Sequence, residues 1–127
     1  MKYLIDTHVI IWLAINSFEL PKNIKDVIEQ PENDIYICSA SLWEIAIKMN
    51  LGKLDLKQPL VKLLDDIKTC GFNTLQVDDK YLCKLIDLPY IHKDPFDRLI
   101  ISTALVEGLI IITTDENIQK YDVPWIW

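Results

Sequence analysis

Five short apolar runs recur along this chain, each separated from the next by a stretch of helical spacing. They fall at residues 2–5, at 34–38 (DIYIC), at 73–77 (NTLQV), at 109–113 (LIIIT) and at 123–127 (VPWIW). A strand with one wet face alternates apolar and polar residues, whereas a strand covered on both faces does not. The runs therefore predict buried parallel strands with helices packed on both sides. The implied architecture is α/β: a three-layer α/β/α sandwich, doubly wound, around a central parallel sheet of about five strands.

The intervening segments carry helix signals of their own. Residues 7 to about 14 follow the first strand directly. Ile24, Val27 and Ile28 share one face of a helix over 22–30 that Pro31 ends. A helix over 39–52 stops at Gly52, and one opening at Pro59 spaces Leu60, Leu63, Leu64 and Ile67 at i, i+3, i+4 and i+7 before Gly71. Residues 78–88 form another, and 94–108 has Asp94 at its N-cap, Pro95 at N1 and Gly108 as its stop. A short helix over 114–121 precedes the last strand. With no internal repeat, low-complexity tract or linker, residues 1–127 read as one domain.

Composition narrows the class. Half of the 127 residues are apolar and a quarter charged, a globular profile with enough chain for one hydrophobic core. No apolar stretch is long enough to span a bilayer, and the N-terminus carries no export pattern, so a cytoplasmic protein is expected. Cys38, Cys70 and Cys83 lack metal or disulfide spacing and read as reduced, buried thiols. A net charge of −6 weighs against nonspecific affinity for nucleic acid.

In an open parallel sheet, ligands gather outside the carboxyl ends of the strands. Asp6 follows the first strand, Glu44 lies early in the helix leaving the second, Asp97 lies in the first turn of the helix feeding the fourth, and Asp115 follows the fourth. All four can converge at one sheet edge. Each also has an ordinary structural reading. Asp6, Asp94 and Asp115 suit helix N-caps. Ser41-x-x-Glu44 spells a capping box, and Asp97 favours a helix dipole. Taken together, clustered carboxylates need a neutralising cation or bound protons. Oxygen-only ligation without His or Cys suits Mg²⁺ or Mn²⁺, the ions that activate water and offset charge in phosphodiester hydrolysis. His8 and His92 read as ordinary hydrogen-bonding residues rather than general acids. Asp65, Asp66 and Asp87 read as solvated, and Trp12 and Trp43 as core or interface residues.

The pieces "YLIDTHVIIWL", "SLWEIAIKMNLGKL", "HKDPFDRLIISTAL" and "IITTDENI" resemble, in order and over essentially the whole chain, the PIN-domain ribonucleases, and within them the VapC-type toxins of toxin–antitoxin pairs. The resemblance implies a PIN-like five-stranded parallel sheet and a Mg²⁺- or Mn²⁺-dependent endoribonuclease with Asp6, Glu44, Asp97 and Asp115 as its catalytic and metal-holding acids, directly or through water. It implies site hydroxyls at Thr7 and Thr113. Lys48 and Arg98 match basic positions that orient the acids or contact RNA phosphate, and Asp94 is an N-cap with a supporting role possible. His8 stands where many members carry Asn or Ser. The resemblance further implies a cognate antitoxin that plugs the acidic cleft, and homodimers or toxin–antitoxin hetero-oligomers. RNA would meet local bases such as Lys48, Lys53, Lys93 and Arg98 despite the overall acidity.

Two other readings fit part of the pattern. A phosphatase with an Asp nucleophile wants a second Asp two residues after Asp6, where His8 stands; a DNA nuclease on a similar sheet differs only in substrate. A metal-binding signalling module would want a lysine on a late loop, and "IITTDENI" offers none.

Overall fold

In the computed structural model, which describes residues 1–127, the N-terminal strand lies at the centre of the sheet. β1 (Lys2–Ile5) is flanked by β2 (Asp34–Cys38) and β4 (Ile110–Ile112), with β3 (Asn73–Leu75) and β5 (Trp125–Ile126) outside them. The order is β3-β2-β1-β4-β5, and every pairing is parallel. Leu4 sits opposite Tyr36 on one side and Ile111 on the other. The expected fold class is the observed one.

Strand pleating divides the core in two. Tyr3, Ile5, Ile35, Ile37 and Ile112 face a cluster completed by α1 (Thr7–Ala14), α2 (Lys22–Glu29) and α4 (Leu60–Thr69). Leu4 and Ile111 face the other way, onto α5 (Asp79–Ile86), α6 (Pro95–Glu107) and α7 (Glu116–Gln119). The remaining helix, α3 (Ser39–Asn50), gives Ile45 to the first cluster and Ala40 to the second. Burying an Ile or Leu completely stabilises by about 2–3 kcal/mol, so the apolar runs that announce the strands also supply most of the cohesion. A crevice of about 1060 Å³, lined by Trp12, Leu13, Phe18 and Leu20 among others, opens on the α1/α2/α4 side.

Three strands are shorter than the apolar runs suggest. The runs at 73–77, 109–113 and 123–127 keep only Asn73–Leu75, Ile110–Ile112 and Trp125–Ile126 as strand. The first and last of these are the sheet's edges, where only residues that find a ladder partner stay extended. Gly108 ends α6 at φ 67°, the left-handed conformation that a glycine adopts without steric cost. The cysteine expectation needs correction. All three thiols are free, but only Cys38 is buried; Cys70 caps the end of α4 and Cys83 lies on the wet face of α5. Of the two places expected for Trp43, core or interface, the core is excluded: it is 65% exposed with its ring edge-on to Phe96. No helix is long and apolar enough to cross a membrane.

Candidate active site

The strand order reverses at β1, so the chain leaves the sheet in opposite directions on its two sides and opens a cleft at the carboxyl edge between β1 and β4. Asp6 sits at that point. Its N–H bonds to Ile112 O at 3.2 Å, extending the ladder by one residue, and its side chain then caps α1 by accepting from Val9 N–H at 3.0 Å. The other carboxylate oxygen, Oδ2, accepts from the Thr113 hydroxyl. Thr113 Oγ1 in turn accepts from Asp115 N–H at 3.0 Å. Asp115 caps α7 through Oδ1, which accepts from Asn117 N–H at 2.8 Å. Thr113 thus ties the two aspartates that end β1 and follow β4.

The second wall comes from α3. β2 runs straight into this helix, with Cys38 as an N-cap lacking a side-chain bond, so Ser41 falls inside the first turn. The capping box spelled by Ser41 and Glu44 therefore does not form. Glu44 is buried and turned to the cleft instead: Thr7 Oγ1 donates to its Oε1 at 2.8 Å and stands 3.0 Å from Ser41 Oγ. Lys48, one helical turn on, lies 3.0 Å from Glu44 Oε2.

The third wall is the start of α6. Asp94 Oδ1 accepts from the N–H groups of Phe96 and Asp97, at 2.9 and 3.0 Å, which makes it the expected N-cap. One turn later Asp97 meets His92, whose Nε2 lies 3.0 Å from Oδ2. Ligand atoms of His92, Asp94 and Asp97 all fall within 4.8 Å of one another. Burial first, then the charges of Asp94 and Asp115, pushes the Asp97 carboxyl up to about 7; the bond to His92 opposes this and the charge of Glu44 adds to it. Burial likewise raises Asp6, against its Thr113 and Val9 hydrogen bonds. The carboxylates expected at the site are thus brought into one electrostatic field. No lysine or arginine forms an ion pair with Asp6, Asp94, Asp97 or Asp115. Such a donor set fits a hard divalent cation, with one imidazole at its margin.

Arg98 departs from its expected part. It is only 7% exposed, and its guanidinium donates to Pro89 O and Tyr121 Oη, both at 3.0 Å. Its hydrogen bonds go to backbone carbonyls and the Tyr121 hydroxyl, so it orients none of the acids, and its burial leaves little surface for a phosphate. Lys53 and Lys93 remain exposed, and His8, also exposed, packs against Trp12 with ring centroids 5.9 Å apart. Three residues beside the site carry no site role in the sequence: Ser41, expected as a cap, His92, expected as an ordinary hydrogen-bonding residue, and Tyr121, which no motif singles out. The five-residue step from His92 to Asp97 was the one available hint.

The chain belongs to the PIN domain family, whose family model matches residues 3–124. Among curated relatives, Ribonuclease VapC22 of Mycobacterium tuberculosis is 24% identical over 122 residues, 95% of this chain and 92% of that protein. Ribonuclease VapC16 of the same organism is 38% identical over 53 residues, which span 41% of this chain and 38% of that protein. Among solved structures, VapBC2 from Rickettsia felis, bound to a DNA fragment from its promoter, superposes with a TM-score of 0.76. That match covers 99% of this chain and 98% of the other at 17% identity, so the likeness is one of fold.

Proposed function

We propose that this chain is a metal-dependent endoribonuclease that acts as the toxin of a toxin–antitoxin pair in the cytoplasm, with residues 1–127 as a single PIN-like domain. The observation that carries the reading is the meeting of Asp6, Glu44, Asp97 and Asp115 at one sheet edge, with Asp97 pushed up to about 7 by burial and neighbouring acids. The ribonuclease relatives support the RNA substrate.

Asp6, Asp97 and Asp115, with Glu44 directly or through water, would hold Mg²⁺ or Mn²⁺. When bound, such an ion lowers the pKa of water and offsets charge on the scissile phosphate. The chain's own residues keep the carboxylates in place: Thr113 holds Asp6, Thr7 and Lys48 hold Glu44, and Asp94 caps the turn that carries Asp97. Without a cation the cluster repels RNA. The exposed Lys53 and Lys93, with half-exposed Lys48, supply local attraction at the rim. Hydrolysis joins the water oxygen to phosphorus and breaks the bond from phosphorus to the departing nucleotide oxygen.

A protein partner follows from the resemblance to VapC toxins, and the solved VapBC structures of like fold support it. We assign a cognate antitoxin that plugs the acidic cleft as that partner, in a hetero-oligomer or alongside a homodimer.

The test is incubation of the antitoxin-free chain with total RNA in Mg²⁺ or Mn²⁺, with EDTA and Asp97→Asn controls. Discrete fragments that need both the ion and Asp97 are expected. Folded, metal-loaded protein that cuts no RNA class would overturn the reading.

A further inference from the structure

Arg98 is the least explained charge in the molecule. It is buried, yet none of its hydrogen-bond partners is a carboxylate. Nη1 reaches Pro89 O and Tyr121 Oη at 3.0 Å and His92 O at 3.5 Å, and Nη2 reaches Leu85 O at 3.4 Å. The guanidinium also lies 4.8 Å from the centre of the Tyr90 ring. Tyr121, only 4% exposed, accepts the His92 N–H at 2.9 Å. Two buried side chains, one on α6 and one beyond α7, therefore grip the backbone of residues 89–92 at both ends. Burying an arginine without a carboxylate is costly, and packing alone would be served by an apolar side chain. The result of the grip is the placement of a single side chain, the His92 imidazole, 3.0 Å from Asp97.

Asp97 needs such help. Rotation about the bond to a carboxylate is broad and weakly restrained. Repulsion from Asp94, Asp115 and Glu44 would turn the group outward. With its proton on Nε2, His92 donates to Oδ2 and holds the carboxylate plane.

We propose that His92 is a positioning residue for Asp97, set in place by a buried Arg98–Tyr121 clamp on the 89–92 loop. The proposal rests on the reading of Asp97 as a holder of the divalent ion. His92 touches neither substrate nor reacting atoms in this role. It acts through the carboxylate, as outer hydrogen-bond partners of metal ligands do, and loss of such a partner costs about 10- to 100-fold in affinity or activity.

The experiment measures Mn²⁺ affinity by calorimetry on the full chain, for wild type, His92→Ala, His92→Gln and Tyr121→Phe, with melting curves alongside and kcat and KM on RNA. His92→Ala is expected to weaken Mn²⁺ binding by about 10- to 100-fold and to lower kcat by a similar factor with KM little changed. His92→Gln, whose amide can still donate to Oδ2, is expected to recover most of both. Tyr121→Phe, which removes one hydroxyl, should fall between wild type and His92→Ala while remaining folded. Wild-type affinity in His92→Ala would overturn the proposal. So would a His92→Gln variant no better than His92→Ala, because the imidazole would then serve by itself. Wild-type behaviour of Tyr121→Phe would overturn the clamp. A wild-type chain that takes up no Mn²⁺ would sink the ion reading, and this proposal with it.

Discussion

Glu44, on the α3 wall of the cleft, and Asp97, on the α6 wall, are both largely buried carboxylates, but their neighbours differ in kind. Glu44 has a cation, Lys48, at 3.0 Å and a hydroxyl donor, Thr7, at 2.8 Å. Asp97 has one imidazole contact and feels the charges of Asp94, Asp115 and Glu44. One wall is therefore balanced from within the chain and the other is not. Missing positive charge on the α6 side must come from a proton or from a bound cation. The contrast locates where an ion is needed, which a count of acids alone does not.

The strongest way to break this comparison is Asp97→Asn. Loss of the unbalanced carboxylate should cut RNA cleavage by about 1000-fold or more, equivalent to about 4 kcal/mol of barrier, in a single-turnover assay. Asp6→Asn should do the same, and neither variant should lose its circular dichroism spectrum. Next in size is Arg98→Leu. It leaves the Pro89 carbonyl and the Tyr121 hydroxyl without their donor, and should cost about 2–3 kcal/mol by urea unfolding.

A pH series sharpens the contrast. The folded Asp97 carboxyl, at about 7, lies above its ordinary value of 3.8. Between those values the folded state binds more protons than the unfolded chain, so this group's contribution falls as pH rises and is lost above about 7. In metal-free buffer, Asp97→Asn should therefore melt about 5 °C higher than wild type at pH 8 and gain little at pH 4. Mn²⁺ should raise the wild-type melting temperature more at pH 8 than at pH 5.5. The smallest effect belongs to the balanced wall. Lys48→Met leaves Glu44 its Thr7 bond and should cost about 1 kcal/mol by the same urea assay.

What the residue pattern revealed, and what it concealed, follows the same division between local and distant causes. The buried strands and the caps at Asp6, Asp94 and Asp115 depend on neighbours a few positions away, and apolar runs and cap residues spell them directly. Glu44 was ambiguous because Ser41-x-x-Glu44 is a valid capping sequence; only the direct run of β2 into α3 moves Ser41 inside the helix. The resemblance implies that Arg98 orients acids or contacts RNA phosphate, while the groups that bury it, Tyr121 and the 89–92 loop, come from elsewhere in the chain. His92 reads as an ordinary hydrogen-bonding residue, with its partners hidden for the same reason. Its meaning lies in an Asp97 contact and a Tyr121 bond that no periodicity encodes.

The bond from Thr113 to Asp6 joins residues 107 positions apart, across a sheet whose central strand, β1, precedes the other four in the chain. During translation β1 has no partner on its β4 side until residues 110–112 have emerged. The cleft consequently assembles late, since Thr113 and Asp115 follow β4 in the chain. The order of strands in the sheet thus withholds the meeting of Asp6 with its partners until β4 has been made.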